Sequence, residues 1–471
     1  MDHEADAGEK RGSRRIRVIR QKISLEISRF SILIMLFSPT IGRASEDLMT
    51  SGYDSGGKSI SLSSAVGEAI SRRPSLKAFA DQVKATKERI RESKSGYLPN
   101  LSASYSDTLG NSIFGYFLFP GSVYANYNLM TIGLTQTVLD FGRVHAQVRQ
   151  SRHQLKSVEA QKGRIVQSVI RDVETAYYAL LKSQHRVISA RQSLIDSIRH
   201  LDEAQARVQA GVGLRLDVTQ AKVNYEQARL DMIHEETSLR KAQVDLGRAI
   251  GYKRKQPFVA DEIPDGGAIP SIDPDADLSR YLGTHPDMLA DKETVHSREA
   301  SLDSAKDQNY PSITGSAQYY LAQISVQFFP GIPTTPFSSV NVGGMLNVPI
   351  FEGGLVTHQI HEARASLRQS IHQKEDDAIR IVANVRDAAE DVREAKERLK
   401  ETRTALDNAE ENDRLIEAAY RVGTAHSVDV VDAETALRRA RVEVDSARYD
   451  LRSAIVQYRF ALGVLFAPGA S

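Results

Sequence analysis

A mainly helical protein with a small membrane-embedded β portion is predicted from three observations. Each half of the chain carries an almost unbroken helical stretch of 68 residues (143–210 and 355–422), each half carries two strand-like alternating runs, and the halves repeat one another at an offset of 212 positions. Two hairpins per chain give four strands, and a bacterial membrane barrel needs at least about eight, because no edge can stay open where water is absent. The barrel is therefore expected to be shared between copies of the chain.

The repeat is plainest at "QAGVGLRLDVTQA" (209–221) and "RVGTAHSVDVVDA" (421–433), where a glycine break is followed at once by a resumed helical pattern. The same offset pairs Pro74 with Pro286, Pro99 with Pro311, Leu134 with Leu346, Gly142 with Gly354, and Gly251 with Gly463. It slips by two only at the "FPG" of 119–121 and 329–331, between the limbs of each hairpin, where an exposed loop tolerates insertion. The expected organisation is a signal peptide (1–44), a mobile N-terminal stretch (45–60), a first repeat (61–251), a linker (252–276), a second repeat (277–465) and a short tail (466–471).

Each element has a local reason. The N-terminal segment is rich in arginine and lysine, then runs through "FSILIMLFSPTI" to "GRAS", the pattern of a cleaved secretory signal. Its 12 apolar residues fall short of the ~20 that span a bilayer. Each repeat then opens with a helical stretch of about 35 residues that ends at "GYLPN" or "QNYPS", where proline favours extended chain before it.

Next come the runs around 101–138 and 313–350. In "LSASYSD" Leu101, Ala103 and Tyr105 alternate with serines; in "NVGGMLNVPI" Val342, Gly344, Leu346, Val348 and Ile350 share a face. A two-faced sheet of this kind suits lipid on one side and water on the other. A helix of 68 residues begins after "LDFG" and after "FEGG", with Gly163 the sole interruption and no proline. At 1.5 Å per residue it spans ~100 Å, too long for a compact domain, while the return helices 214–250 and 426–462 span ~55 Å. These lengths suggest that the long helix descends to a tip, one short helix climbs halfway back, and the short helix of the next copy climbs the rest. The Pro-, Gly- and Asp-rich linker would then lie at mid-height. Gly211 and Gly423 fall at the tips, where a helical hairpin needs glycine's backbone freedom.

Composition excludes several function classes. Net charge is +1, and about −3 after removal of residues 1–44, so no nucleic-acid partner is expected. Without cysteine there is no disulfide, thiolate metal site, Cys nucleophile or lipidated N-terminal cysteine. No Walker-type loop, HExxH or GxSxG occurs, and "GGKS" at 56–59 lacks the upstream glycine spacing, so no catalytic residue and no cofactor are expected. His358 and His361 share a helix face, with His372 beyond them, but their counterparts Ala146 and Arg149 do not keep the imidazoles, and no metal site is assigned.

Taken together, "SLSSAVGEAISRRPSLKA", "GYLPNLSASY", "LTQTVLDFG" with its echo "LNVPIFEGG", and the twin tips resemble the TolC family of outer membrane efflux proteins over roughly residues 60–465. The resemblance implies a homotrimer whose four strands per chain close a 12-stranded barrel, continued by a periplasmic helical tunnel. It further implies a periplasmic adaptor at the helical tips, joined to an inner-membrane pump of RND, ABC or MFS type. Gly211, Gly213 and Gly423 are matched to the adaptor-docking tips. Tyr420, Asp429 and Asp432, with Asp217 as the first copy's equivalent of Asp429, are matched to the constriction near the tunnel's closed end. The chain departs from the pattern at Ala425, where the resemblance puts a gate-holding arginine; His426 follows.

Spacing alone offers a plainer reading of the acidic pair, since carboxylates at the start of a helix cap it and suit its dipole. The expected function is a passive exit duct for small toxic compounds in the outer membrane. Type I protein secretion through the same duct is the alternative, and a periplasmic coiled-coil scaffold without a pore is the reading from another class.

Overall fold

The computed structural model describes residues 57–111, 124–253, 256–263, 272–326, 336–422 and 424–465. The signal sequence, positions 45–56, both "FPG" loops, the C-terminal tail and Gly423 lie outside the described residues. The first half runs β1 (Lys58–Ile60), α1 (Leu62–Arg72), α2 (Pro74–Ser95), β2 (Asn100–Asn111), β3 (Tyr124–Leu139), α3 (Arg143–Gln209), α4 (Arg215–Ile250). The second runs β4 (Phe258–Ala260), α5 (Pro274–Tyr281), α6 (Pro286–Lys306), β5 (Ser312–Val326), β6 (Phe337–Asn347), α7 (Leu355–Arg421), α8 (Ser427–Ala461).

The long helices α3 and α7 each have 67 residues, or ~100 Å, and begin 212 positions apart. Each starts after a left-handed glycine, Gly142 at φ 105° and Gly354 at φ 86°, so the glycines of "LDFG" and "FEGG" turn strand into helix. The helical stretch ahead of the strands is broken, contrary to the expectation of one continuous rod. Pro74 and Pro286 stand at the first helical position, and the residues before them, Arg73 (ψ 120°) and His285 (ψ 130°), are held out of helical geometry.

The half-length helices also join differently from the expectation. α4 ends against the start of α2 of its own half: Arg73 donates from Nη1 to the Ala249 carbonyl at 2.6 Å. α8 likewise ends at Gly463 (φ +73°) against His285 and Pro286, at the start of α6. The climb is completed within one half because the proline break leaves an open helix start where the returning helix stops.

Strands β2, β3, β5 and β6 form one antiparallel sheet in that order. Registered partners share a face, so the rows Leu101–Leu134–Ala317–Val342, Ala103–Ile132–Tyr319–Val340 and Tyr105–Met130–Leu321–Ser338 build an almost wholly apolar side. The intervening rows, such as Ser102–Gly133–Gln318–Asn341 and Ser104–Thr131–Tyr320–Ser339, build a polar one. Leu101 and Val342 on the apolar side remain 70% and 80% exposed in the isolated chain. Among the described residues, the outer edges of β2 and β6 have no partner strand. β6 stops at Asn347, short of the expected Ile350, because Pro349 lacks the amide hydrogen a ladder needs.

At mid-height the stretch expected to be mobile and the linker contribute a strand each. β1 and β4 pair in parallel, Ile60 with Ala260. Tyr177 of α3 donates its hydroxyl to the carbonyls of Ile60 (3.1 Å) and Asp261 (2.7 Å), and Phe258 is fully buried beside Leu246 and Ile170. Burial of a phenylalanine at about 1.5–3 kcal/mol explains why so short a strand is fixed. A second core around Val385, Val392 and Leu451 ties α7 to α8.

A Cβ on Gly463 would lie 2.7 Å from His285 Cδ2 and 2.8 Å from Pro286 Cδ, whereas one on Gly163 would meet nothing within 4 Å. Gly463→Ala is therefore expected to destabilise by about 1–3 kcal/mol through strain and collision, and Gly163→Ala to gain up to about 1 kcal/mol of helix propensity. Thermal unfolding in detergent checks the order; a Gly463→Ala midpoint at or above wild type would show that the joint yields freely.

Candidate functional site at the helical tips

The first tip is built by the α3 terminus. Gly211 adopts φ +74°, and the amides of Val212 and Gly213 both donate to the Arg207 carbonyl at 3.0 Å, closing the last turn. A Cβ on Gly211 would meet nothing, so only its backbone angle demands glycine; one on Gly213 would lie 2.9 Å from Arg207 Cβ and from Val208 N. At the second tip, α7 ends at Arg421 and α8 starts at Ser427, and Gly423 falls outside the described residues.

The two return helices start alike. The Asp217 carboxylate accepts from the Leu214 amide at 3.3 Å, and the Asp429 carboxylate from the His426 amide at 2.8 Å. Both aspartates therefore make the helix-start contact that spacing alone suggests, where the macrodipole favours negative charge.

Asp217 is half-buried and lines a small pocket of about 40 Å³ with Tyr420, His200, Glu203, Arg207 and Val430. In it the Arg207 guanidinium stands 5.0 Å from the centre of the Tyr420 ring. Asp217 also borders a groove of about 680 Å³ between α3, α4 and α8, which Asp432 lines as well. The structure thus places Asp217 with Tyr420 in one small pocket and with Asp432 along one groove. Asp429 is exposed at the start of α8 and lines neither space. Ala425 is half-buried and brings no charge, and His426 is exposed.

A set of contacts that sequence reasoning missed joins α3 to α8 above the tips. His200 and Glu434 meet at 2.7 Å, with Arg199 3.7 Å from the same carboxylate. Higher up, His185 bridges Glu262 (3.0 Å) and Asp445 (3.3 Å), and Lys182 meets Asp450 at 2.8 Å. The hydrogen bond to Glu434 raises the His200 pKa; that to Asp445, helped by Glu262, lifts His185 to about 9. One signal was available: the 212-offset counterparts of Lys182, His185 and Glu434 are Glu394, Glu397 and Lys222, opposite or altered in charge. Where a repeat reverses charge, the two copies face different neighbours.

His358 and His361 lie with ring centres 6.3 Å apart, and among the described residues no three His, Asp or Glu are grouped to hold a metal ion. No helix among the described residues is long and apolar enough to cross a membrane. The family model described as "Outer membrane efflux protein" matches residues 65–252 and 278–464.

The chain belongs to the outer membrane efflux protein family. This efflux protein is 25% identical over 429 residues to outer membrane protein TolC of Escherichia coli, covering 89% of this chain and 85% of that one. It is 24% identical over 417 residues to the alkaline protease secretion protein AprF of Pseudomonas aeruginosa, covering 84% and 83% of the two chains. Its fold matches the Campylobacter jejuni CmeC outer membrane channel with a TM-score of 0.71 at 18% identity, over 87% of each chain. The efflux protein is a channel component of the Gram-negative outer membrane with a long periplasmic helical extension, and it is not an enzyme.

Proposed function

We propose that three copies of this chain, the product of a tandem duplication at an offset of 212 positions, close a 12-stranded barrel and a helical tunnel. Together they form a passive, gated exit duct for small toxic compounds. One observation carries the reading: a four-stranded sheet, apolar on one face and polar on the other, has both edges unpaired and continues into helices of 67 residues. Open edges cannot persist in lipid, so other copies must supply the missing strands. The apolar rows then face outer membrane lipid.

Energy for transport comes from an inner-membrane pump of RND, ABC or MFS type, through a periplasmic adaptor that docks on the tips at Gly211, Gly213 and Gly423. The constriction comprises Asp217, Tyr420, Asp429 and Asp432. That Asp217 lines one pocket with Tyr420 and one groove with Asp432, across the two hairpins, supports this assignment for three of the four. A ring of carboxylates from symmetric copies favours cations.

Type I protein secretion is the second reading, favoured by the likeness to a protein named for alkaline protease secretion. The alternating rows of the sheet count against a scaffold without a pore. Deletion of the gene is expected to increase drug susceptibility and leave the secreted proteome intact; unchanged susceptibility with one exported protein missing would replace efflux with secretion.

A further inference from the structure

The seam between α3 and α8 has one charge polarity from mid-height towards the tips and the other nearer the sheet, where Glu174 of α3 faces Arg459 of α8. In all of the contacts above the cations stand on α3 and the partners on α8 are carboxylates: Asp450 to Lys182, Asp445 to His185, Glu434 to His200 and Arg199. It is also graded along its length. Nearest mid-height the cation is a lysine, and His185 is held there by two carboxylates, with the Tyr449 hydroxyl donating to Glu262 at 2.8 Å. Some 15 residues nearer the tip, ~22 Å along the helix, the fastening to Glu434 depends on His200. Below it the Arg207 guanidinium stands over Tyr420, and Ala425 carries no charge to add to that contact.

We infer that the His200–Glu434 contact is a proton-dependent latch that holds the second hairpin's tip against the first and keeps the resting gate shut, while the Lys182 and His185 contacts form its hinge. This rests on the duct reading above. Both latch side chains are about one-fifth exposed and both line the 680 Å³ groove, so separation of α8 from α3 would admit water without opening a packed core.

Groups of both signs face the latch. From α8, Arg438 stands near Glu434; from α4, Asp217 shares the small pocket with His200; from α7 come Tyr420 in that pocket and Asp413 near Glu434. On α3 itself Glu203 favours the imidazolium and Arg199 opposes it, with Arg207 in the same pocket.

The sign follows from the raised His200 pKa. The latch is at full strength below about 6.5, the ordinary value, and is lost as pH rises through the raised one. Opening of each copy's latch in that window releases one proton, so the open-to-shut ratio of each copy rises by up to about tenfold per pH unit.

The test is single-channel recording in planar bilayers across about pH 6 to about pH 8, below the range in which His185 loses its charge, together with a spin-label distance between Gln205→Cys on α3 and Ala436→Cys on α8. The chain has no native cysteine, and labelled chains are diluted into unlabelled ones. Wild type should open more, and the labels move apart, as pH rises. His200→Arg, which keeps a fixed cation, should remain shut and flat; His200→Gln should be open and flat. Where a His200 variant fails to assemble, Glu434→Gln gives the reading, with the open, flat response expected.

Current and distance independent of pH in wild type, or variants that follow its pH profile, would overturn the latch. Labels that move with pH while no variant conducts would uphold the latch and refute the duct.

Discussion

Ile132→Arg is expected to abolish assembly in the outer membrane, whereas Thr131→Arg, one residue away, should leave it nearly normal. Ile132 sits between Ala103 and Tyr319 in an apolar row, and Thr131 between Ser104 and Tyr320 in a polar one. An arginine facing lipid near the bilayer midplane costs about 2–4 kcal/mol, and a barrel shared by three copies incurs that cost three times. The same arginine on the polar face keeps its hydration. Fractionation of cell envelopes, scored for the assembled oligomer, reads the difference. Equal assembly of the two variants would mean that the sheet does not divide lipid from water.

That contrast was open to sequence reasoning because a strand period of two writes its faces directly into the chain, as in Leu101, Ala103 and Tyr105 against the serines between them. The long helices were equally legible: Gly142 and Gly354 mark their starts, and neither stretch holds a proline. The joints were less so. Pro74 and Pro286 stand out as a repeated pair, yet how the chain joins there depends on where α4 and α8 end, which is a matter of packing between segments about 180 residues apart. The pairing of β1 with β4 was hidden for a related reason. Three residues carry no period, and what fixes them is Tyr177 and Phe258.

The candidate site divides in the same way. Asp217 and Asp429 could be placed at helix starts from their spacing to the tip glycines, and the cap contacts are there. Only the family resemblance groups Tyr420 with Asp217, and nothing in the sequence announces the Arg207 guanidinium over the Tyr420 ring, since the two hairpins meet through tertiary packing. The His200–Glu434 contact joins residues 234 positions apart, and its one trace in the sequence is the change of charge between Glu434 and its repeat counterpart Lys222.

Replacing both second-tip carboxylates, Asp429→Asn with Asp432→Asn, is expected to remove most of the duct's preference for cations. Asparagine keeps the shape and, at position 429, an oxygen that can accept from the His426 amide, so the helix start should survive. What disappears is charge. A carboxylate at contact distance stabilises a monovalent cation by about 1 kcal/mol even at the dielectric of bulk water, about fivefold in relative occupancy, and more in a narrow pore. With symmetric copies both second-tip charges go from every chain at once, leaving only Asp217, and block by multivalent cations should weaken with them.

Single-channel current through the purified protein in a planar bilayer tests the central claim most directly, with wild type beside Asp429→Asn/Asp432→Asn and His200→Gln. The account predicts a small cation-preferring current in wild type, loss of that preference in the double variant, and a larger open fraction in His200→Gln. Verified insertion of all three with no current from any of them would contradict it, because release of the latch leaves a duct no reason to stay sealed.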